Sequence, residues 1–105
     1  MPKTAVIMRE KKRIKTYLKF KTKRDLLLKT IKELQLDPSG NYDMLQQNYL
    51  ELRAMPRNAS RSRIRNRCQE TGRPRGFYRK VGLSRNMFRL RAMRGEIPGL
   101  RKSSW

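Results

Sequence analysis

Four arginines at alternate positions, Arg61, Arg63, Arg65 and Arg67, are the first residues in this sequence whose type and spacing suggest chemistry. Side chains of an extended chain alternate with period two, so these four guanidiniums would share one face. A guanidinium is planar, permanently charged and grips phosphate through two parallel hydrogen bonds, so four in a row fit a phosphate track. The bland alternative for Arg57 to Arg67 is a solvated, disordered linker, because Arg-Asn-Ala-Ser-Arg-Ser-Arg-Ile-Arg-Asn-Arg has almost nothing to bury. Beyond it, Gly72-Arg73-Pro74-Arg75-Gly76-Phe77-Tyr78-Arg79-Lys80 interleaves arginine with glycine, proline and aromatics. Glycines let a backbone approach closely, arginines contact phosphates, and aromatic rings offer faces to unstacked bases, a combination that points to RNA. Phe77 suits a small core behind a turn. Tyr78 suits either packing or base contact, with its hydroxyl outward.

A second spacing invites a metal and then refuses it. Cys68, Thr71, Ser84 and Met87 are separated by two, twelve and two residues, which would be a zinc-ribbon signature if all four were cysteine. Hydroxyls and a thioether do not replace thiolates on Zn²⁺, so no metal and no cofactor are expected. The spacing instead predicts a knuckle turn at Cys68 to Gly72 packed through ordinary side chains on a helix that starts at Ser84. Cys68 itself reads as a small buried hydrophobe. The chain has no histidine, hence no imidazole base and no Ser-His or Cys-His pair, which removes most hydrolase mechanisms. One cysteine forms no internal disulfide, which fits a reducing compartment.

The 105 residues carry 28 basic and 8 acidic side chains, a net charge of +20. Such a chain repels itself, and with 36% hydrophobic residues it has little apolar surface to set against ordering entropy, so a polyanionic partner is expected. The charge changes in kind near Met55-Pro56. Nine of the 13 basic residues before that point are lysine, whereas 13 of the 15 after it are arginine. The second half is therefore the recognition half. The longest apolar runs, Ala5 to Met8 and Leu26 to Leu28, are far short of a membrane span or a secretory signal core. A basic, acid-poor start from Lys3 to Arg24 also suits an organellar transit peptide, but its helical pattern runs on into the next segment.

Between Lys3 and Leu36 there is neither glycine nor proline, and the composition predicts helix. Thr22 and Asp25 form a capping-box pattern that predicts a restart, giving two helices with a bend near Thr22. Asp37-Pro38-Ser39-Gly40 predicts a turn, Asn41 a cap, and Tyr42, Leu45, Tyr49 and Leu52 one apolar face of a third helix ending at Met55-Pro56. Arg57 to Arg67 is expected to be extended, and residues 57 to 82 to be disordered without RNA. Ser84 as cap, Phe88 stapled to Leu83, and Gly95 at the left-handed end define a last helix over 85–94, stopped by Pro98. The predicted fold is mainly α: a helical N-terminal extension over 1–56, an extended basic arm over 57–67, and a zinc-ribbon-like knuckle without metal, followed by a helix and tail, over 68–105.

The residues from 54 onward carry a family resemblance. Asn66-Arg67-Cys68, Thr71-Gly72-Arg73-Pro74-Arg75-Gly76, Arg79-Lys80-Val81-Gly82-Leu83-Ser84-Arg85, Ala92-Met93-Arg94-Gly95-Glu96-Ile97-Pro98-Gly99-Leu100 and Ser104-Trp105 resemble the family of the fourteenth protein of the bacterial-type small ribosomal subunit, in its long, zinc-free form. Arg9-Glu10 with Lys12-Arg13 resembles the family's start more loosely. The resemblance implies a structural, non-enzymatic protein of the subunit head, bound to small-subunit ribosomal RNA and adjoining small-subunit proteins three, ten and nineteen. It further implies a part in assembly and in shaping RNA near the aminoacyl-tRNA site, in a cytoplasmic or organellar ribosome and without a homo-oligomer. The RNA-binding residues expected are Lys11, Lys12, Arg57, Arg61, Arg63, Arg65, Arg67, Arg73, Arg75, Tyr78, Arg79, Lys80, Arg85, Lys102 and Trp105. Three positions depart from the family pattern: Leu90 replaces an acidic residue and Arg91 a small one, which puts in doubt any ion pair in the last helix, and Val81 replaces a phenylalanine, which would shrink the local core. Charge alone equally allows a nucleoid-type DNA-condensing protein. A polybasic membrane-surface binder is disfavoured, because the strongest charge lies in a non-amphipathic stretch.

Overall fold

A computed structural model describes residues 1–104 of the chain. It is mainly helical, with one two-stranded sheet, and divides into two compact units: Arg9–Ile64, and the first eight residues together with the segment from Arg65 onward.

The helix α1 runs unbroken from Thr4 to Leu36. The bend expected at Thr22 is absent. A capping box stabilises an end only where the chain has reason to stop, and no glycine or proline supplies one here. Threonine is instead accommodated inside the helix: the Thr16 and Thr30 hydroxyls each donate to the carbonyl four residues back, Lys12 and Leu26, at 2.9 Å. The Asp37 carboxylate then accepts from the Ser39 N–H and hydroxyl at 3.2 and 2.9 Å, closing the predicted turn.

Helix α2 spans Tyr42–Ala54, and Met55, with extended backbone before Pro56, ends it. Asn41 stands at its start, but its side chain makes no capping bond. Of the predicted apolar face, Leu45, Tyr49 and Leu52 are half-buried and Tyr42 is exposed. Gln35 Nε2 donates to the Tyr49 hydroxyl at 2.7 Å, joining α1 to α2.

Arg57–Ala59 and Arg61–Arg63 form two 3-10 turns, so the expected extended arm does not exist over these residues. Ala59 N donates to Pro56 O at 2.9 Å and Ile64 N to Arg61 O at 3.1 Å, while Ala59 is fully buried. Alternating arginines have no backbone preference of their own, and one buried alanine with local i→i+3 bonds outweighs the pattern. Arg61 and Arg63 therefore do not share a strand face.

In the other unit, residues 65–68 have no regular structure, and the knuckle follows. Gly72 N donates to Cys68 O at 2.8 Å and Cys68 N to Arg73 O at 3.0 Å. Gly72 has φ +71°, and a Cβ there would lie 2.7 Å from Ile7 Cδ1, so the N-terminal segment packs directly on this turn. Strands β1 (Phe77–Tyr78) and β2 (Leu83–Ser84) pair antiparallel with Phe77 opposite Ser84 and Tyr78 opposite Leu83. Helix α3 covers Arg85–Met93, close to the predicted span. Its end is a Schellman motif: Glu96 N donates to Arg91 O and Gly95 N to Ala92 O, both at 3.1 Å, with Gly95 at φ +71°. The buried core of this unit is small, centred on Cys68, Leu83 and Ser84.

Candidate nucleic-acid interface

Cys68, Thr71 and Ser84 come together at the knuckle because the hairpin returns β2 beside the Cys68 turn, through Gln69 N donating to Gly82 O at 3.1 Å. Burial, the largest single influence, pushes the Cys68 thiol up. The hydroxyls and backbone N–H groups of Thr71 and Ser84 together outweigh it and pull the thiol down from 9.0 to about 6. The buried Thr71 hydroxyl has no partner other than this thiol among the described residues. Ser84 stands at the start of α3 but makes no side-chain capping bond, so its expected capping role is replaced by a role at Cys68. Among the described residues no three His, Cys, Asp or Glu side chains gather to hold a metal.

Helix α3 positions Arg85, Arg89, Arg91 and Phe88, and β1 positions Phe77 and Tyr78. Arg73, Gly76, Arg85, Asn86 and Arg89 line a cleft of about 460 Å³. Beside it, Tyr78, Phe88, Ala92, Met93 and Leu100 line a smaller cavity of about 250 Å³, with Arg85 and Arg89 shared between the two. Phe88 packs on Tyr78 with ring centroids 4.9 Å apart and planes 45° apart. Tyr78 stays 45% exposed, so it both packs and presents a ring to solvent. Phe77 is half-buried, in line with a core role. Arg89 was missing from the predicted contacts, although its i, i+4 spacing from Arg85 was a readable signal.

The other predicted contacts are scattered. Arg57, Arg61 and Arg63 lie in the 3-10 turns, and Arg63 Nη1 donates to Asn58 Oδ1 at 2.9 Å. Arg65 is exposed, whereas Arg67 is half-buried and its Nη1 donates to Gly72 O at 3.2 Å, a structural bond across the knuckle. Arg75 is exposed beside the knuckle, Arg79 and Lys80 are exposed in the turn between β1 and β2, and Lys102 is exposed in the tail. Lys11 and Lys12 are exposed on α1, in the other unit. Trp105 lies outside the described residues.

From Arg65 to Ser104 there are twelve basic residues and two carboxylates, Glu70 and Glu96. Arg91 holds both: its Nη2 pairs with Glu70, and its Nη1 donates to Glu96 Oε2 at 2.7 Å. Those bonds, the one to Glu70 foremost, push the Arg91 guanidinium further up. Leu90, the neighbouring departure, is exposed and leaves this pairing intact. One arginine thus occupies both Glu70 and Glu96, so neither carboxylate neutralises Arg73, Arg75, Arg79, Lys80 or Arg85.

A family model described as ribosomal protein S14p/S29e matches residues 51–104. Over its full 105 residues the chain is also 48% identical to the small ribosomal subunit protein uS14 of Blochmanniella floridana, covering all of both chains.

Proposed function

The chain belongs to the ribosomal protein S14p/S29e family, and from that premise we infer how its residues hold RNA. It is a structural constituent of the small ribosomal subunit that binds small-subunit ribosomal RNA in translation, and it is not an enzyme. Its place is the subunit head, beside small-subunit proteins three, ten and nineteen, where it supports assembly and shapes RNA near the aminoacyl-tRNA site. The motif runs Thr71 to Gly76 and Ala92 to Leu100 support this position through their family resemblance.

The labour divides along the composition: residues 1–56 as a helical extension, 57–67 as a basic arm, and 68–105 as the recognition module. In that module a zinc-ribbon-like knuckle works without metal, and the Thr71 and Ser84 hydroxyls around the Cys68 thiol support the substitution of hydrogen bonds for ligation. Phosphate contact falls to Arg57, Arg61, Arg63, Arg65, Arg73, Arg75, Arg79, Lys80 and Arg85, with Lys11, Lys12, Lys102 and Trp105 in support and Tyr78 against a base.

The observation that carries this reading is the capture of Glu70 and Glu96 by Arg91, which leaves Arg73, Arg75, Arg79, Lys80 and Arg85 with no carboxylate of their own segment. Affinity should be dominated by phosphate and fall steeply with salt. Co-sedimentation with small ribosomal subunits tests it: the association is expected to vanish on RNase treatment and survive DNase. Loss on DNase instead would make the chain a DNA-condensing protein.

A further inference from the structure

We propose that the two adjoining cavities along α3 form a site for one unpaired ribonucleotide, its base on the Tyr78–Met93–Leu100 surface and its phosphate in the Arg73–Arg85–Arg89 cleft. This deepens the RNA-binding reading above and rests on it.

The larger cavity carries its charge on three arginines. Arg73, Arg85, Arg89 and Asn86 line its roughly 460 Å³ together with Gly76, which brings no side chain of its own. Three like charges gather around an open cleft at a cost in mutual repulsion, which a phosphate bound bidentately relieves. Nothing inside the segment can take that place, because Glu70 and Glu96 are both engaged by Arg91.

The smaller cavity is of opposite character. Tyr78, Met93 and Leu100 are exposed apolar residues, 45%, 61% and 40% accessible, and they converge on one spot with half-buried Phe88 and Ala92 behind them. Scattered exposed apolar groups need no explanation, but a cluster around a concavity marks a binding surface. At about 250 Å³ it is smaller than the roughly 300–1,000 Å³ of clefts for drug-sized ligands and suits one planar ring system. Its charged lining residues, Arg85, Arg89, Arg101 and Lys102, are all cationic. A protein side chain anchored there would need carboxylates around it, whereas a nucleobase brings its own phosphate.

The two cavities share Arg85 and Arg89. A base and its phosphate are one sugar apart, so an aromatic surface and an arginine cleft with common walls match the two ends of a single nucleotide. Bases within a duplex are stacked and hidden, so the occupant is an unpaired one. The site is also built in advance: pairing with Leu83 fixes Tyr78, and Arg85, Phe88, Arg89, Ala92 and Met93 fall on one face of α3.

The test reconstitutes small subunits with the full chain and probes every unpaired base of the ribosomal RNA with base-specific reagents. Two variants are compared with the parent. Ala92→Trp fills the base cavity without altering charge, and it is expected to deprotect one unpaired base and weaken RNA binding by about 5- to 100-fold with the salt slope unchanged. Arg89→Gln leaves the apolar surface but removes a phosphate contact, and it is expected to deprotect the same base and lower the salt slope by roughly one unit. If the parent enters subunits and both variants keep every base protection, the nucleotide site is overturned while the RNA-binding reading stands. Cross-linking of Tyr78 or Met93 to a neighbouring protein in place of a nucleotide would overturn it equally. If the parent itself fails to associate with subunit RNA, both readings fall.

Discussion

Arg91 on α3 and Glu70 at the knuckle, 21 residues apart in the chain, are joined by an ion pair, and the same guanidinium also reaches Glu96 past the end of the helix. This side chain therefore ties three separate stretches of the recognition module together. It also withdraws the only two carboxylates between Arg65 and Ser104 from competition with RNA. The effect on binding should exceed the effect on folding, because exposed ion pairs contribute little stability while free carboxylates next to a phosphate site repel it.

Replacing Arg91 by glutamine should lower thermal stability only slightly, because the ion pairs lost are exposed. RNA affinity should fall by more, and adding Glu70→Gln and Glu96→Gln should restore most of it. Calorimetric melts and salt-dependent binding isotherms of the parent, Arg91→Gln and the triple variant check this.

The Cys68 thiol should titrate near 6 in the folded protein and near its ordinary value of 9.0 in denaturant. A group whose folded value is depressed adds stability that is full above the unfolded value and lost as pH falls through the folded one. Stability should therefore climb from pH about 6 to about 9, and Cys68→Ala should flatten the climb. Thiolate ultraviolet absorbance and denaturant melts across that window measure both.

Gly72→Ala should destabilise the knuckle by more than the roughly 1–2 kcal/mol that a left-handed backbone costs an alanine, because the new Cβ also meets Ile7. Gly40, at φ +46° with open space around it, should show only the conformational cost. Pairing Gly72→Ala with Ile7→Ala should recover the steric part, as read from melting temperatures.

Two arginines of the predicted set should separate by role. Arg67 donates to the Gly72 carbonyl, so Arg67→Ala should lower the melting temperature of the chain as well as its RNA affinity. Arg75, exposed beside the knuckle, should affect only RNA affinity, with a salt slope smaller by about one unit when it is replaced by alanine.

Residues 57–82 bury little besides Ala59 and Cys68 among their larger groups, too little to offset the ordering entropy of the segment. Amide exchange there should be fast in the RNA-free protein and slow in the assembled subunit. Strong protection without RNA would contradict this.

Much of the architecture is local and was legible in the residues. The breaker-free run from Lys3 made α1, the Asp37 to Gly40 turn separated it from α2, and Gly95 after Arg94 made the Schellman end of α3. Each of these depends on neighbours within a turn or two, which a sequence displays directly. The same holds for the character of the partner, since net charge and the absence of histidine are independent of fold.

Tertiary structure alone decided the rest, wherever a local preference had a distant competitor. Thr22 was free to cap but had no reason to, once the helix on both sides of it was continuous. Ser84 gave up a cap for the Cys68 thiol, a partner sixteen residues away that no periodicity reveals. The arginines of 57–63 took 3-10 turns around the buried Ala59, because a repeat of side-chain type sets no backbone torsion. Arg91 read from sequence as a departure that unsettled the ion pairs of the last helix, yet folding brings Glu70 and Glu96 to it from both sides. Which cations stay free for RNA depends on which carboxylates are already taken, and that pairing is settled only when the chain brings distant charges within a few ångströms of one another.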